Sequence, residues 1–135
     1  MRRIIVGFLD NPEGKRALDL AVEEAQRRQA HLVIVHSFRD GREAQIKEIR
    51  RYRDALEGVT DRLASLGIEH EVHEYVRGNT PAEDLLRAAK EFDAELIVIG
   101  YRRRSATNKA LLGSHAHAIL MGADCPVLAV VAPEE

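Results

Sequence analysis

Five short apolar runs, separated by longer stretches with apolar residues three and four apart, set the organisation of the chain. The first run, RIIVGF over residues 3–8, is rich in β-branched residues and predicts a strand buried on both faces. Asn11-Pro12 ends it and opens a helix, with Pro12 and Glu13 suited to the first turn and Leu18, Ala21, Val22 and Ala25 on one face. HLVIVHSF, residues 31–38, predicts a second buried strand. Residues 40–66 predict a long helix whose inner stripe runs through Ile46, Ile49, Leu56, Leu63 and Leu66, with Gly58 as a weak point or bend and Gly67 as its left-handed cap. Ile68, Val72 and Val76 alternate over residues 68–76 as in a half-exposed strand near a sheet edge. Thr80-Pro81-Ala82-Glu83 reads as a capping box opening a helix with Leu85, Leu86 and Ala89 inward. ELIVIG, ending at Gly100, is a fourth strand. A helix follows from about Gly113 to Gly122, and residues 126–131 make the last strand.

The order βαβαβαβαβ implies a parallel sheet with helices on both faces. Right-handed crossovers leave few topologies, and the expectation is a flavodoxin-like, Rossmann-like α/β three-layer sandwich of strand order 3-2-1-4-5. Residues 1–135 read as one domain, without linker, repeat or low-complexity segment. Formal net charge is −2, so any polyanion site must be a local patch. Cys125 is the sole cysteine, which removes an internal disulfide and fits a reducing compartment. The apolar start meets Asp10 at once, unlike a signal-peptide core, and no stretch has the length of a membrane span. A cytoplasmic location is the resulting expectation.

Chemistry is expected where two loops leave the carboxyl ends of strands 1 and 4, since open α/β sheets bind ligands at that switch point. The second loop carries Arg102, Arg103, Arg104 and Lys109 just ahead of a helix beginning Gly113-Ser114. A helix N-terminus presents unpaired N–H groups, a glycine there admits an anion close to the backbone, and Ser114 adds a hydroxyl. Phosphate is the natural guest, against the alternative of a solvated basic loop and an ordinary Gly-Ser helix start. His115 stands beside that point. His115 and His117 are two apart on a helix, the wrong spacing for a zinc pair, and no metal site is assigned. His70 and His73 point to opposite faces of a strand and read as surface residues, and His36 as a hydrogen-bonded core or edge residue. Asp10, Glu13 and Asp40 could hold Mg²⁺ through a nucleotide's phosphates, although as surface carboxylates they need no such role.

The segment GYRRRSATNKALLGSHAHAIL followed by ADCPVLAVV, with IIVGF…GKRALDLAVEEA and LVIVHS before it, resembles the universal stress protein family over the whole chain. Its signature places glycine, two residues, glycine, nine residues, then glycine and serine or threonine. Gly100, Gly113 and Ser114 fit, while Arg103 stands where the second glycine is usual, as in an arginine-rich variant of bacterial, especially actinobacterial, members. The resemblance implies a stress-response regulator that binds adenine nucleotide, ATP or AMP, with little or no hydrolysis. It places the nucleotide against Phe8, Leu9, Asp10, Ser37, Ile99, Gly100, Arg102, Arg103, Gly113, Ser114 and His115. Leu9 occupies the position of the family's nucleoside-holding aspartate, with Asp10 one residue later. Ser37 occupies an adenine contact that is commonly valine, and Ile99 suits another. The resemblance further implies a homodimer through the last strand, Val127, Leu128, Ala129, Val130 and Val131, whose two apolar faces and open edge call for a cover. Leu9 and Arg103 leave open a ligand-free dimeric interaction module, and a weak nucleotide hydrolase is a further alternative. No constellation of residues names a general base, and no recognition helix or stacking aromatic accompanies the arginines, which argues against nucleic acid.

Overall fold

The computed structural model describes residues 2–9, 11–38, 43–75, 80–101 and 113–132. Chain order gives β1 (Arg3–Gly7), α1 (Pro12–Arg28), β2 (His31–Ser37), α2 (Glu43–Ser65), β3 (His70–Tyr75), α3 (Pro81–Glu91), β4 (Leu96–Tyr101), α4 (Ser114–Gly122) and β5 (Val127–Val131). The sheet has the expected order β3-β2-β1-β4-β5, and every pairing is parallel. Element ends fall within a few residues of the sequence expectation, the usual scatter where helices and strands fray.

Alternation along each strand splits the interior into two cores. Ile4, Val6, Leu32, Ile34 and Val98 face α1 and α2, while Ile5, Val33, Val35, Ile97 and Ile99 face α3 and α4. Both faces are apolar because helices cover both, which is why the central strands read as unbroken apolar runs. The β3 strand, at one edge, has no fully buried residue, and Glu74 on it is exposed.

Three helix starts follow the expected chemistry to different degrees. Asn11 caps α1, its side chain accepting from Gly14 N–H at 2.7 Å. Thr80 and Glu83 close a reciprocal capping box on α3. Gly113 is the N-cap of α4 and supplies no side-chain cap. At the other ends, Gly67 takes the left-handed conformation after α2 (φ 71°), and Gln29 does the same after α1 (φ 53°), a cap with no glycine to announce it.

The inner stripe of α2 differs from the sequence expectation. Ile46 and Leu66 are exposed, at 60% and 44%, whereas Tyr52 and Leu63 are buried and Ile49, Leu56 and Val59 pack beside them. Tyr52 sits in a run of arginines, and its charged neighbours masked it as a core residue. Residues 49, 52, 56, 59 and 63 form one three-four stripe once Tyr52 is included. Gly58 makes no break: α2 is helical through it, and a Cβ there would meet nothing within 4 Å.

Candidate functional site

A cleft of about 1180 Å³ lies over the carboxyl ends of β2, β1 and β4, bounded by the N-termini of α1, α3 and α4. It is the switch point of the sheet, where crossovers leave in opposite directions and part the loops. Leu9, 38% exposed, follows β1 into the cleft, and Ser37 closes β2 there. Ile99 and Gly100 reach it from β4, and Gly113, Ser114 and His115 from the start of α4. Phe8 lines it as well, but its side chain is buried on the α1–α2 side, 5.7 Å from the Tyr52 ring. Sequence reasoning thus brought together eight residues that share one cavity. Asp10, Arg102 and Arg103 lie outside the described residues, as does Asp40.

The two signature glycines do different work. A Cβ on Gly100 would lie 2.2 Å from the Glu13 carbonyl oxygen and 2.5 Å from its carbon, so the missing side chain is what lets α1 start against the end of β4. A Cβ on Gly113 would meet no atom of the described residues within 4 Å. Among the described residues nothing fills the space beside its backbone, and Gly113 gives the helix start no side-chain cap. Glu13, expected on the surface, is buried at 9% exposure by the same close approach.

Polar groups at the other end of the cleft come from β2. The Ser37 hydroxyl donates to Asp84 Oδ2 at 2.7 Å, and Asp84, on the first turn of α3, is 1% exposed. His36 is buried with its ring stacked on Tyr52, centroids 3.9 Å apart, and its Nδ1 lies 2.6 Å from the Phe8 carbonyl oxygen. A carbonyl only accepts, so Nδ1 carries the proton. Burial lowers the His36 pKa below the usual histidine range, against the pull of the Phe8 carbonyl, Glu48 and Glu74. Burial raises the Tyr52 pKa far above that of a free phenol. His115, half-buried at the α4 start, is likewise held below the ordinary histidine pKa by burial. Neither Asp84 nor Tyr52 was visible as a site-wall residue in the sequence, because their partners are remote in the chain.

The remaining histidines sit elsewhere. His73 was expected at the surface, yet it contacts Glu71 at 2.6 Å and packs against the Phe92 ring with centroids 4.7 Å apart. His117 is exposed on α4. Among the described residues no group of three or more His, Cys, Asp or Glu could hold a metal ion. Cys125 is a half-buried thiol whose pKa is raised by burial and by Asp124, the opposite of an activated nucleophile. No described helix is long and apolar enough to cross a membrane.

The model of the Universal stress protein family matches residues 1–131. The chain belongs to the universal stress protein family. A universal stress protein of Mycolicibacterium smegmatis is 36% identical over 132 residues, covering 94% of this chain and 95% of that protein. The structure of a universal stress protein from Archaeoglobus fulgidus superposes with a TM-score of 0.80 at 33% identity, covering 96% of this chain and 98% of the other. A structure of the universal stress protein from Archaeoglobus fulgidus in complex with dAMP superposes at 0.73 with 29% identity, covering 96% and 98%.

Proposed function

We propose that this universal stress protein binds an adenine nucleotide, ATP or AMP, in the cleft over β1 and β4, and acts as a nucleotide-responsive regulator rather than through catalysis. The observation that carries the reading is the contrast among the three helix starts at the cleft. Asn11 and Thr80 cap α1 and α3 with their own side chains, whereas α4 opens on Gly113, which offers no side-chain cap and whose Cβ position meets no described residue within 4 Å. Uncapped N–H groups and the helix dipole favour an anion there. The dAMP complex of the related Archaeoglobus fulgidus protein supports a nucleoside phosphate as that anion. The residues fit the ligand: phosphates on Gly113 and Ser114, the base toward Ile99 and Ser37. Nothing among the described residues assigns a place for Mg²⁺.

Calorimetric titration of ATP and AMP into the wild-type protein and Gly113→Val tests the reading. Valine adds bulk in front of α4 without touching the core, so the fold should persist and affinity should fall at least about tenfold. Equal affinity in the two proteins would move the phosphates elsewhere. Absence of heat with both nucleotides would leave the ligand-free interaction module.

We also infer a homodimer built on β5. That strand ends the sheet beside β4, and Val127, Leu128, Ala129 and Val131 remain only partly buried. An apolar edge of this kind invites pairing with a second copy about a two-fold axis. Leu128→Lys, at a half-buried position, should shift sedimentation toward monomer. Val130 is buried, so lysine there would test the core instead. A wild-type protein that sediments as monomer at high concentration would refute the dimer.

A further inference from the structure

Helices α1 and α3 are finished at both ends by their own residues, with Asn11 and Thr80 as caps, acidic residues in the first turn and basic ones in the last. Helix α4 has none of these. Gly113 gives it no side-chain cap, its sequence SHAHAILMG holds no Asp, Glu, Lys or Arg, and only Ala116 and Ile119 of its nine residues are buried. A helix of this length is marginal alone and depends on what it packs against.

The outer flank of α4 is apolar. Leu120 is 42% and Met121 75% exposed, whereas the other exposed large hydrophobics, Leu9, Ile46 and Leu66, stand singly. The helix fixes where that flank points. α3 packs on β1 and β2, and α4 on β4 and β5. Gly122 is the close approach to α3, since a Cβ there would lie 2.7 Å from Leu86 Cδ1. At about 100° per residue, Leu120 stands roughly 160° around the helix from Gly122. It therefore points away from α3, toward the open edge of the sheet at β5.

That edge is too small to hold a dimer by itself. Five residues of strand run about 17 Å, and with the roughly 10 Å depth of a packed sheet they cover on the order of 200 Å² of each partner. A stable interface takes about 800 Å² per partner. Leu120 and Met121 extend the apolar surface of β5 onto the neighbouring helix.

We propose that α4 links the cleft to the dimer: a second copy rests on Leu120 and Met121 as well as on β5, and an anion at Gly113 tightens that dimer because both complete the same helix. The proposal rests on the nucleotide and dimer readings above, and its test separates their failure from its own. Whichever partner binds first stiffens α4 at its own expense, and the other then meets a helix already held. Linkage makes the effect reciprocal, so the dimer binds nucleotide more tightly than the monomer.

Dimer dissociation constants are measured by sedimentation over a dilution series for wild type, Met121→Lys and Gly113→Asp, without AMP and with AMP at a concentration that calorimetry shows to saturate. AMP should tighten the wild-type dimer about threefold, the gain expected of one anion at a helix N-terminus. Gly113→Asp places a carboxylate there on a backbone already in an N-cap conformation (φ −63°, ψ 160°), so its dimer should tighten by a similar factor with no nucleotide present. Met121→Lys changes an exposed side chain, so the fold should persist while the dimer weakens about tenfold, and AMP should bind without changing what dimer remains. Hydrogen exchange of the α4 amides in dilute, monomeric wild type should slow when AMP binds. AMP that binds without tightening the dimer or slowing α4 exchange overturns the link and leaves the nucleotide site standing. A Met121→Lys dimer as tight as wild type overturns the seat on α4. If AMP does not bind, the nucleotide reading falls and Gly113→Asp decides alone, a dimer no tighter than wild type overturning the link. Wild type that stays monomeric throughout overturns the dimer and this role together.

Discussion

Adding one methyl group at Gly100 should cost far more than adding the same group at Gly113, although both belong to one sequence signature. In Gly100→Ala the new Cβ would sit 2.2 Å from the Glu13 oxygen and 2.5 Å from its carbonyl carbon, with ordinary contact beginning only near 3.4 Å. Relief therefore requires backbone movement of more than 1 Å. The obstructing atoms are main chain in the first turn of α1, which Asn11 pins through Gly14. Gly14 itself cannot retreat freely, since its own Cβ position lies 2.0 Å from the Leu9 oxygen. Strained insertions of this kind cost about 1–3 kcal/mol, and a rigid backbone obstacle puts this one at the upper end. For a domain of this size that is a fall in Tm on the order of 10 °C. Gly113→Ala, by contrast, meets no atom of the described residues within 4 Å and keeps φ at −63°, so its melt should match wild type to within about 0.5 kcal/mol. Thermal melts of the two variants, run side by side without ligand, decide the matter. A wild-type melt for Gly100→Ala would refute the packing role, and a large loss in Gly113→Ala would mean that the space before α4 is filled.

Other consequences follow from single groups. His36 is neutral in the fold with its pKa held down by burial, so the unfolded chain binds the extra proton: stability should be full above about pH 6.5, fall below it by up to about 1.4 kcal/mol per pH unit, and level off under the folded pKa. Melts of His36→Phe between pH 8 and 5 should start lower yet slope less, and an unchanged slope would exclude His36 as the cause. His115 is also held neutral by burial, and a phosphate beside it would raise its pKa, so nucleotide binding should take up a proton and tighten as pH falls through the bound-state value. Calorimetry in buffers of different ionisation enthalpy measures that uptake, which His115→Gln should abolish. Asn11→Ala removes the α1 cap and should cost about 1 kcal/mol by chemical denaturation.

The fold was legible because the buried strands are apolar runs and the helices between them announce their starts. Thr80-Pro81-Ala82-Glu83 and Asn11-Pro12 are local chemistry, and both caps form as their residues specify. The cleft was legible for the same reason: Leu9, Ser37, Gly100 and Gly113 sit at strand ends or a helix start, and the strand order brings those ends together. What was not legible depends on contacts between distant residues. Ser37 and Asp84 are 47 positions apart, and nothing near either one marks the other as its partner. Tyr52 lies in a charged stretch, so its burial beneath His36 and Phe8 emerges only when α2 is laid on the sheet. Gly100 fitted a ligand-binding signature, but its closest neighbour is the backbone of α1. A signature records which positions must be glycine without saying whether a ligand or another helix requires it.

The charge around the cleft makes the arginine loop the element to test if phosphate binds there. Among the described residues that line it, Glu13 and Glu48 bring negative charge, and no lysine or arginine is present. The start of α4 attracts an anion through a dipole equivalent to about half a charge, small beside the charge of a triphosphate. The cations nearest in sequence are Arg102, Arg103, Arg104 and Lys109, in the segment that joins β4 to α4. If they close on the phosphates, each well-formed guanidinium contact contributes roughly 1.5–3 kcal/mol. Arg103→Gly should then weaken ATP more than AMP, since ATP carries the greater charge, and should flatten the dependence of ATP affinity on salt. Stronger ATP binding in Arg103→Gly would instead mean that the side chain obstructs the space a second signature glycine leaves open. Equal affinity at every salt concentration would remove Arg103 from the site.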